Sequence, residues 1–182
     1  MKTSFFSEEE LAKIPFKKTG KNVLISRLAS IYSPEEISLG DHVRIDDFCL
    51  LSGKIITGSY IHISAYSALY AKYGITLEDF TTVSARVMIF SQNDDYSGSF
   101  MTNPMVPEKL RNVSGGMVTL RQFAIVGAGS VILPGVTLHE GAAIGAMSLV
   151  LKDIDAWSVY AGVPAVFRKK RNRDIIELAR KI

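Results

Sequence analysis

A beat of six residues runs through most of the chain, and it constrains the fold more than any other feature. Aliphatic residues fall at Leu120, Val126, Ile132, Leu138, Ile144 and Val150. The same beat occurs upstream at Leu39, Ile45, Leu51, Thr57, Ile63 and Leu69, slips by two residues, and resumes at Leu77, Val83 and Ile89. Four positions beyond each downstream aliphatic stands a mostly small residue: Ala124, Ser130, Val136, Ala142, Ser148 and Ile154. A period of six fits neither an α-helix nor a plain alternating strand. It fits short strands joined by regular turns, with one large and one small inward side chain per strand. Three such strands close a coil, and stacked coils bury a continuous core. The expected fold class is therefore all-β, a parallel β-helix of hexapeptide repeats.

The ends and one interior stretch depart from the beat. "SEEELAKI" has Ser7 in the N-cap position and Glu10 three residues on, the pattern of a capping box opening a short helix. "NRDIIELARKI" places Ile175, Leu178, Ala179 and Ile182 at helical spacing, which predicts a C-terminal helix packing on the coils. The expected organisation is an N-terminal helical segment (1–22), a coil body (23–161) and a C-terminal helix (162–182). In the interior, "IFSQNDDYSGSF" breaks the beat after Ile89, and regular hexads return only at Leu120. A protruding loop over about 91–117 follows, long enough in a compact domain to require a purpose.

Composition narrows the setting. Of 182 residues 47% are hydrophobic, enough for a real core in one domain. The one cysteine, Cys49, excludes an internal disulfide framework and sits at a small inward position, where a core role is expected. No apolar run approaches the roughly 20 residues of a membrane span, and the acidic N-terminus does not read as a signal peptide. A cytoplasmic location is expected. The net charge is +3, but "FRKKRNR" places five cations in seven residues. That cluster reads either as an anion site or as a solvated helix start. No stacking aromatics interleave with it, which disfavours nucleic acid as a partner.

"IVGAGSVILPGVTLHEGAAIGAMSLVLKDI" followed by "SVYAGVPA" resembles the hexapeptide-repeat acyltransferases, whose β-helix is left-handed. The resemblance covers nearly the whole chain from about Val23. It implies a homotrimer with acyl-CoA sites in the grooves between subunits, acetyl-CoA as co-substrate and no metal. The coenzyme's pantetheine arm would run past Ala128 of "GAGS" and Ala146 of "GAMS", where a small residue lets the backbone approach closely. Lys152, Arg168 and Arg171 match positions where cations meet the coenzyme's phosphates, and Pro164 of "GVPA" belongs to the same region. The three histidines are His42, His62 and His139, at least twenty residues apart, which does not suit the zinc site of β-helix carbonic anhydrases.

Many members of that family acylate a hydroxyl with a histidine base in the protruding loop. Here the loop holds "SQNDDYSG" and no histidine. An amine, once neutral, attacks a thioester unaided, so the substitution favours an amino acceptor. Asp94 or Asp95 would orient or deprotonate that amine, with Asn93 beside them. His62 is the rival base; the hexad phase points it outward, onto a face that a neighbouring subunit could cover. His42 and His139 are read as bystanders in turns. "VRIDDFCLLSG", "GSYIHISAYSALY" and "DDYSGSFMTNPMVPEKLRNV" are similar to bacterial N-acetyltransferases acting on dTDP-linked 4-amino-4,6-dideoxyglucose in O-antigen or capsule synthesis. That likeness implies substrate contacts from Tyr66, Tyr70, Arg86, Tyr96 and Asn103. O-acetylation of a galactoside or maltoside and a non-catalytic β-helix scaffold remain as alternatives.

Overall fold

The computed structural model describes residues 4–182, and the hexad beat becomes a parallel β-helix of seven coils. The large inward residues stack in register on three faces. On the first face Ile25, Ile45, Ile63, Val83, Val126 and Ile144 lie above one another. The second face stacks Leu51, Leu69, Ile89, Ile132 and Val150, and the third Thr57, Leu77, Leu120 and Leu138. These side chains are buried, and full burial of an aliphatic contributes about 1.5–3 kcal/mol apiece. The small positions turn the corners, and their hydroxyls stay satisfied. Ser130 Oγ and Ser148 Oγ donate to Gly145 O at 3.1 and 2.7 Å, and Ser67 Oγ donates to Ser84 O at 2.9 Å. Cys49 is buried at such a position, with its thiol pushed up to about 11 by desolvation.

The two-residue slip in the beat is a local bulge. Gly53 pairs with Ala71 and Ile55 with Ile75, so strand Ala68–Leu77 carries two more residues than its neighbour over the same span. Tyr73, one of the residues in that bulge, donates its N–H to Ser91 Oγ at 2.8 Å. It therefore touches the place where the long loop leaves the coils.

The edge between the third and first faces carries a ladder of rings. His42, Tyr60, Phe80 and Phe123 stack with centroids 4.7, 4.9 and 5.3 Å apart, and Phe123 meets Trp157 at 6.1 Å. Each holds a left-handed backbone, with φ between 52 and 62°. That conformation costs on the order of 1–3 kcal/mol per residue, and aromatic pairing at about 0.5–1.5 kcal/mol per contact offsets part of it. The signal was present in the sequence as an aromatic or imidazole ring at one fixed position of successive coils, a position the hexad count passes over.

The helix Glu8–Leu11 has the expected capping box: Ser7 N–H donates to Glu10 Oε2 at 2.7 Å, and Glu10 N–H to Ser7 Oγ at 3.3 Å. The C-terminal region differs from the expectation for 162–182. Strand Val166–Lys170 runs antiparallel to Ser158–Ala161, and helix Ile175–Ala179 follows as one short turn with no buried residue. The hairpin, not the helix, covers the last coil. It does so because its backbone pairs with an otherwise open strand. Among the described residues no helix is long and apolar enough to cross a membrane.

Candidate active site

The protruding loop rises from the edge between the second and third faces. Its neck is a short antiparallel pair, Gln92–Asn93 against Ser114–Gly115. Gly115 permits this: a Cβ there would lie 2.3 Å from the Tyr73 ring and 2.4 Å from Ser91 O. Tyr73 OH also reaches Val113 O at 3.4 Å. The bulge of the coil is thus the footing of the loop.

Between neck and coil lies a cleft of about 280 Å³, lined by Tyr70, Phe90, Gln92, Asn93, Asp94, Tyr96 and Val113. Tyr70 and Phe90 form its wall as a parallel stack, 5.0 Å between centroids. Asp94 is the charged residue among the seven and is solvent-exposed. Asp95 is turned away into the loop. Its carboxylate accepts from Ser97 N–H at 2.8 Å, from Ser97 Oγ, and from Asn112 Nδ2 at 2.8 Å. Those bonds, led by the Ser97 hydroxyl, hold its pKa below the ordinary carboxylate value. A carboxylate so occupied is a loop fastener and a poor proton acceptor. Asn103 is also taken up locally, its Oδ1 accepting Met105 N–H at 2.9 Å.

A second cluster stands on the first face and the edge that follows it. His62 projects outward between buried Ile61 and Ile63, half-exposed, with Nε2 2.8 Å from Asp46 Oδ2 and 3.4 Å from Ser64 Oγ. Asp46 also accepts Arg44 Nε at 2.7 Å. Burial alone would raise the Asp46 pKa, but the bonds from His62 and Arg44 outweigh it and hold the carboxyl low. Ser84 lies beside Ser64, since Ile63 and Val83 are paired. At the next edge Tyr66 stacks on Phe48 at 4.9 Å, and the Arg86 guanidinium lies 5.9 Å from the Tyr66 ring centre. In one chain a turn at Ala85–Arg86 stands between Ser84 and strand Met88–Phe90 of the second face, and no residue of the His62 cluster lines the loop cleft. The loop cleft and the His62 cluster are therefore separate.

The residues expected to meet the coenzyme also divide. Ala128 and Ala146 are exposed on the edge between the first and second faces, one coil apart, with Met147 N–H donating to Ala128 O at 2.8 Å. Among the described residues neither alanine's own N–H makes a hydrogen bond. Gly127 lets the coils come this close, since a Cβ there would lie 2.5 Å from Ala146 N. Arg168 is near the same edge, with Nη2 3.1 Å from Ala161 O, and Pro164 lies in the hairpin turn beside Leu149. Lys152 is elsewhere, exposed between Val150 and Ile154 at the edge that carries the loop. Arg171 faces the aromatic ladder, its Nη1 donating to Phe123 O at 2.8 Å and Gly141 O at 3.0 Å, and desolvation lowers its pKa. It ties the hairpin to the coils.

No protein-family profile matches the chain. It is 44% identical over 178 residues to an Escherichia coli dTDP-4-amino-4,6-dideoxy-D-glucose acyltransferase, covering 96% of this chain and 93% of that protein. The fold superimposes on AntD, an N-acyltransferase from Bacillus cereus solved in complex with dTDP and 3-hydroxybutyryl-CoA. The TM-score is 0.96 and the identity 49%, over 99% of this chain and 96% of that one. The S84C variant of AntD, solved with dTDP-4-amino-4,6-dideoxyglucose and coenzyme A, gives 0.97 and 48% over 100% and 97%. A D94N variant has been solved with dTDP and coenzyme A. This chain has a serine and an aspartate at those numbers.

Proposed function

The chain belongs to the dTDP-4-amino-4,6-dideoxyglucose acyltransferase family of left-handed β-helix proteins, and from that premise we propose that it moves an acyl group from acyl-coenzyme A to the amine of a dTDP-linked 4-amino-4,6-dideoxy sugar. The observation that carries the proposal is Asp94. It is the lone charged group in an otherwise neutral cleft of tyrosine, phenylalanine and amides, in a loop without histidine. A carboxylate there accepts a hydrogen bond from the neutral amine and leaves the nitrogen lone pair free to face the thioester.

The neutral amine attacks the thioester carbonyl, a C–N bond forms, and the C–S bond breaks. The ammonium proton passes to the departing thiolate or to solvent. An unpaired backbone N–H at the Ala128–Ala146 edge is suited to the developing oxyanion. Acetyl is the acyl group we favour, and O-antigen or capsule synthesis in the cytoplasm the setting.

The separation of the two clusters supports a homotrimer with shared sites. The loop cleft supplies Tyr70, Asn93, Asp94 and Tyr96, while the edge of a neighbouring copy supplies Ser84, His62, Tyr66, Arg86 and the coenzyme groove. His62, held by Asp46, serves there to position rather than to abstract a proton. The relative solved as variants at both S84 and D94 fits a site built from these two halves.

The test is thiol release from acetyl-CoA and 3-hydroxybutyryl-CoA across dTDP- and UDP-linked 4-amino sugars and their 4-hydroxy counterparts. Turnover on the dTDP amino sugar, with the hydroxy sugar inert, is expected. Preference for the hydroxy sugar would establish O-transfer, and absence of coenzyme binding would leave a scaffold.

A further inference from the structure

The loop carries, just beyond its neck, a guanidinium nitrogen without a partner. Arg111 Nε is buried and, among the described residues, is the side-chain nitrogen or oxygen in that state that makes no hydrogen bond. A buried polar group left unpaired costs on the order of 1–3 kcal/mol, more when charged, so an anion that completes it is favoured on binding. The residue as a whole is half-buried.

Its place beside the neck says which anion. Ser114 pairs with Asn93 and Asn112 reaches Asp95, which sets Val113 against Asp94, while Arg111, two residues further, bridges Met101 of the same loop. Arg111 has an extended backbone, φ −109° and ψ 152°. Alternation then puts it on the side of Val113, the side of the neck that lines the cleft. Arg111 is thus one two-residue step, roughly 6.6 Å of strand, from Val113, the residue set against Asp94, and the two charges are opposite. A sugar bearing a diphosphate at one end of its ring and an amine at the other has opposite charges in the matching order. The cleft itself holds no cation to offset Asp94, and Arg168 and Arg171 are committed to the hairpin and the aromatic edge.

We propose that Arg111 receives the diphosphate of the nucleotide-linked sugar, a specificity contact that fixes the ring so that its amine meets Asp94. This deepens the reading of the site given above and rests on it. The guanidinium suits the role because its planar fork binds two phosphate oxygens at once, which an ammonium cannot do.

The experiment is calorimetric titration of dTDP, without acyl donor, into the full-length protein and into Arg111→Ala and Arg111→Lys. Alanine is expected to weaken dTDP binding about 10- to 100-fold and lysine by less, with coenzyme A affinity unchanged and the melting temperature not lowered. A diphosphate-free acceptor, the methyl glycoside of 4-amino-4,6-dideoxyglucose, should be acylated equally by wild type and Arg111→Ala. Unchanged dTDP affinity would overturn the proposal, as would equal loss of coenzyme A binding or of melting temperature, which marks a structural role. If dTDP binding depends on Arg111 but no amino sugar is acylated, the phosphate site stands and the transferase reading falls.

Discussion

Asn112 Nδ2 donates to Asp95 Oδ2 at 2.8 Å, across seventeen residues of loop. That bond, with the two from Ser97, makes the neighbouring carboxylates of "NDD" into different instruments: one fastens the loop, the other faces the cleft. Asp94→Asn keeps the shape and removes the charge, so kcat/KM should fall at least about 10-fold, with an unchanged melting temperature. Asn112→Ala should raise KM for the sugar and speed limited proteolysis between Ser97 and Leu110. Equal kinetic effects of the two substitutions would show that Asp94 has no separate role.

Acid should loosen the loop through Asp95. Its folded pKa lies below the ordinary value near 3.8, so ionised Asp95 favours the closed loop above that pH. The contribution is lost as pH falls through the lower folded value. Protease susceptibility of the loop should therefore climb below about pH 4 in the wild type. In Asp95→Asn it should be high throughout and insensitive to this range.

Phe123 stands between Phe80 and Trp157 in the ring ladder and is 7% exposed. Phe123→Ala should cost about 3 kcal/mol in denaturant unfolding, at the low end for a buried phenylalanine because the edge can partly close. Coenzyme affinity should be preserved, since the ladder lies on a different edge from Ala128 and Ala146.

Gly127→Ala places a methyl 2.5 Å from Ala146 N, and backbone cannot give way as a side chain can. The coils must part at the groove proposed for pantetheine. Coenzyme A affinity should drop at least about 10-fold, with a stability loss of about 1–3 kcal/mol. Retained affinity would move the coenzyme to another edge.

Cys49 has a thiol pushed up to about 11 and buried under the coil corner. At pH 8 a thiol reagent should label it no faster than the chain unfolds. Prompt labelling of the native protein would contradict its place in the core.

The coil stack was legible because burial on every face repeats a single six-residue instruction, and Ile45, Leu51 and Val126 obey it without tertiary help. The capping box at Ser7 and Glu10 was equally local. Strand Val166–Lys170 was hidden because it is exposed along its length and shows no periodicity; only the open backbone of Ser158–Ala161 defines it. The choice between Asp94 and Asp95 was hidden for a related reason. It depends on Asn112, which the sequence places far away. Arg111 does not stand out among the cations of the sequence, since its isolation is a property of its surroundings and not of its spacing.

Strand Ala68–Leu77 pairs directly with Val118–Leu120, Thr76 against Thr119, so the coil resumes on the far side of the loop as though nothing had been inserted. The excursion is a graft at one joint, with Tyr73 and Gly115 as its socket. A change confined to the graft can therefore reshape the cleft it carries while the stack beneath it keeps its register.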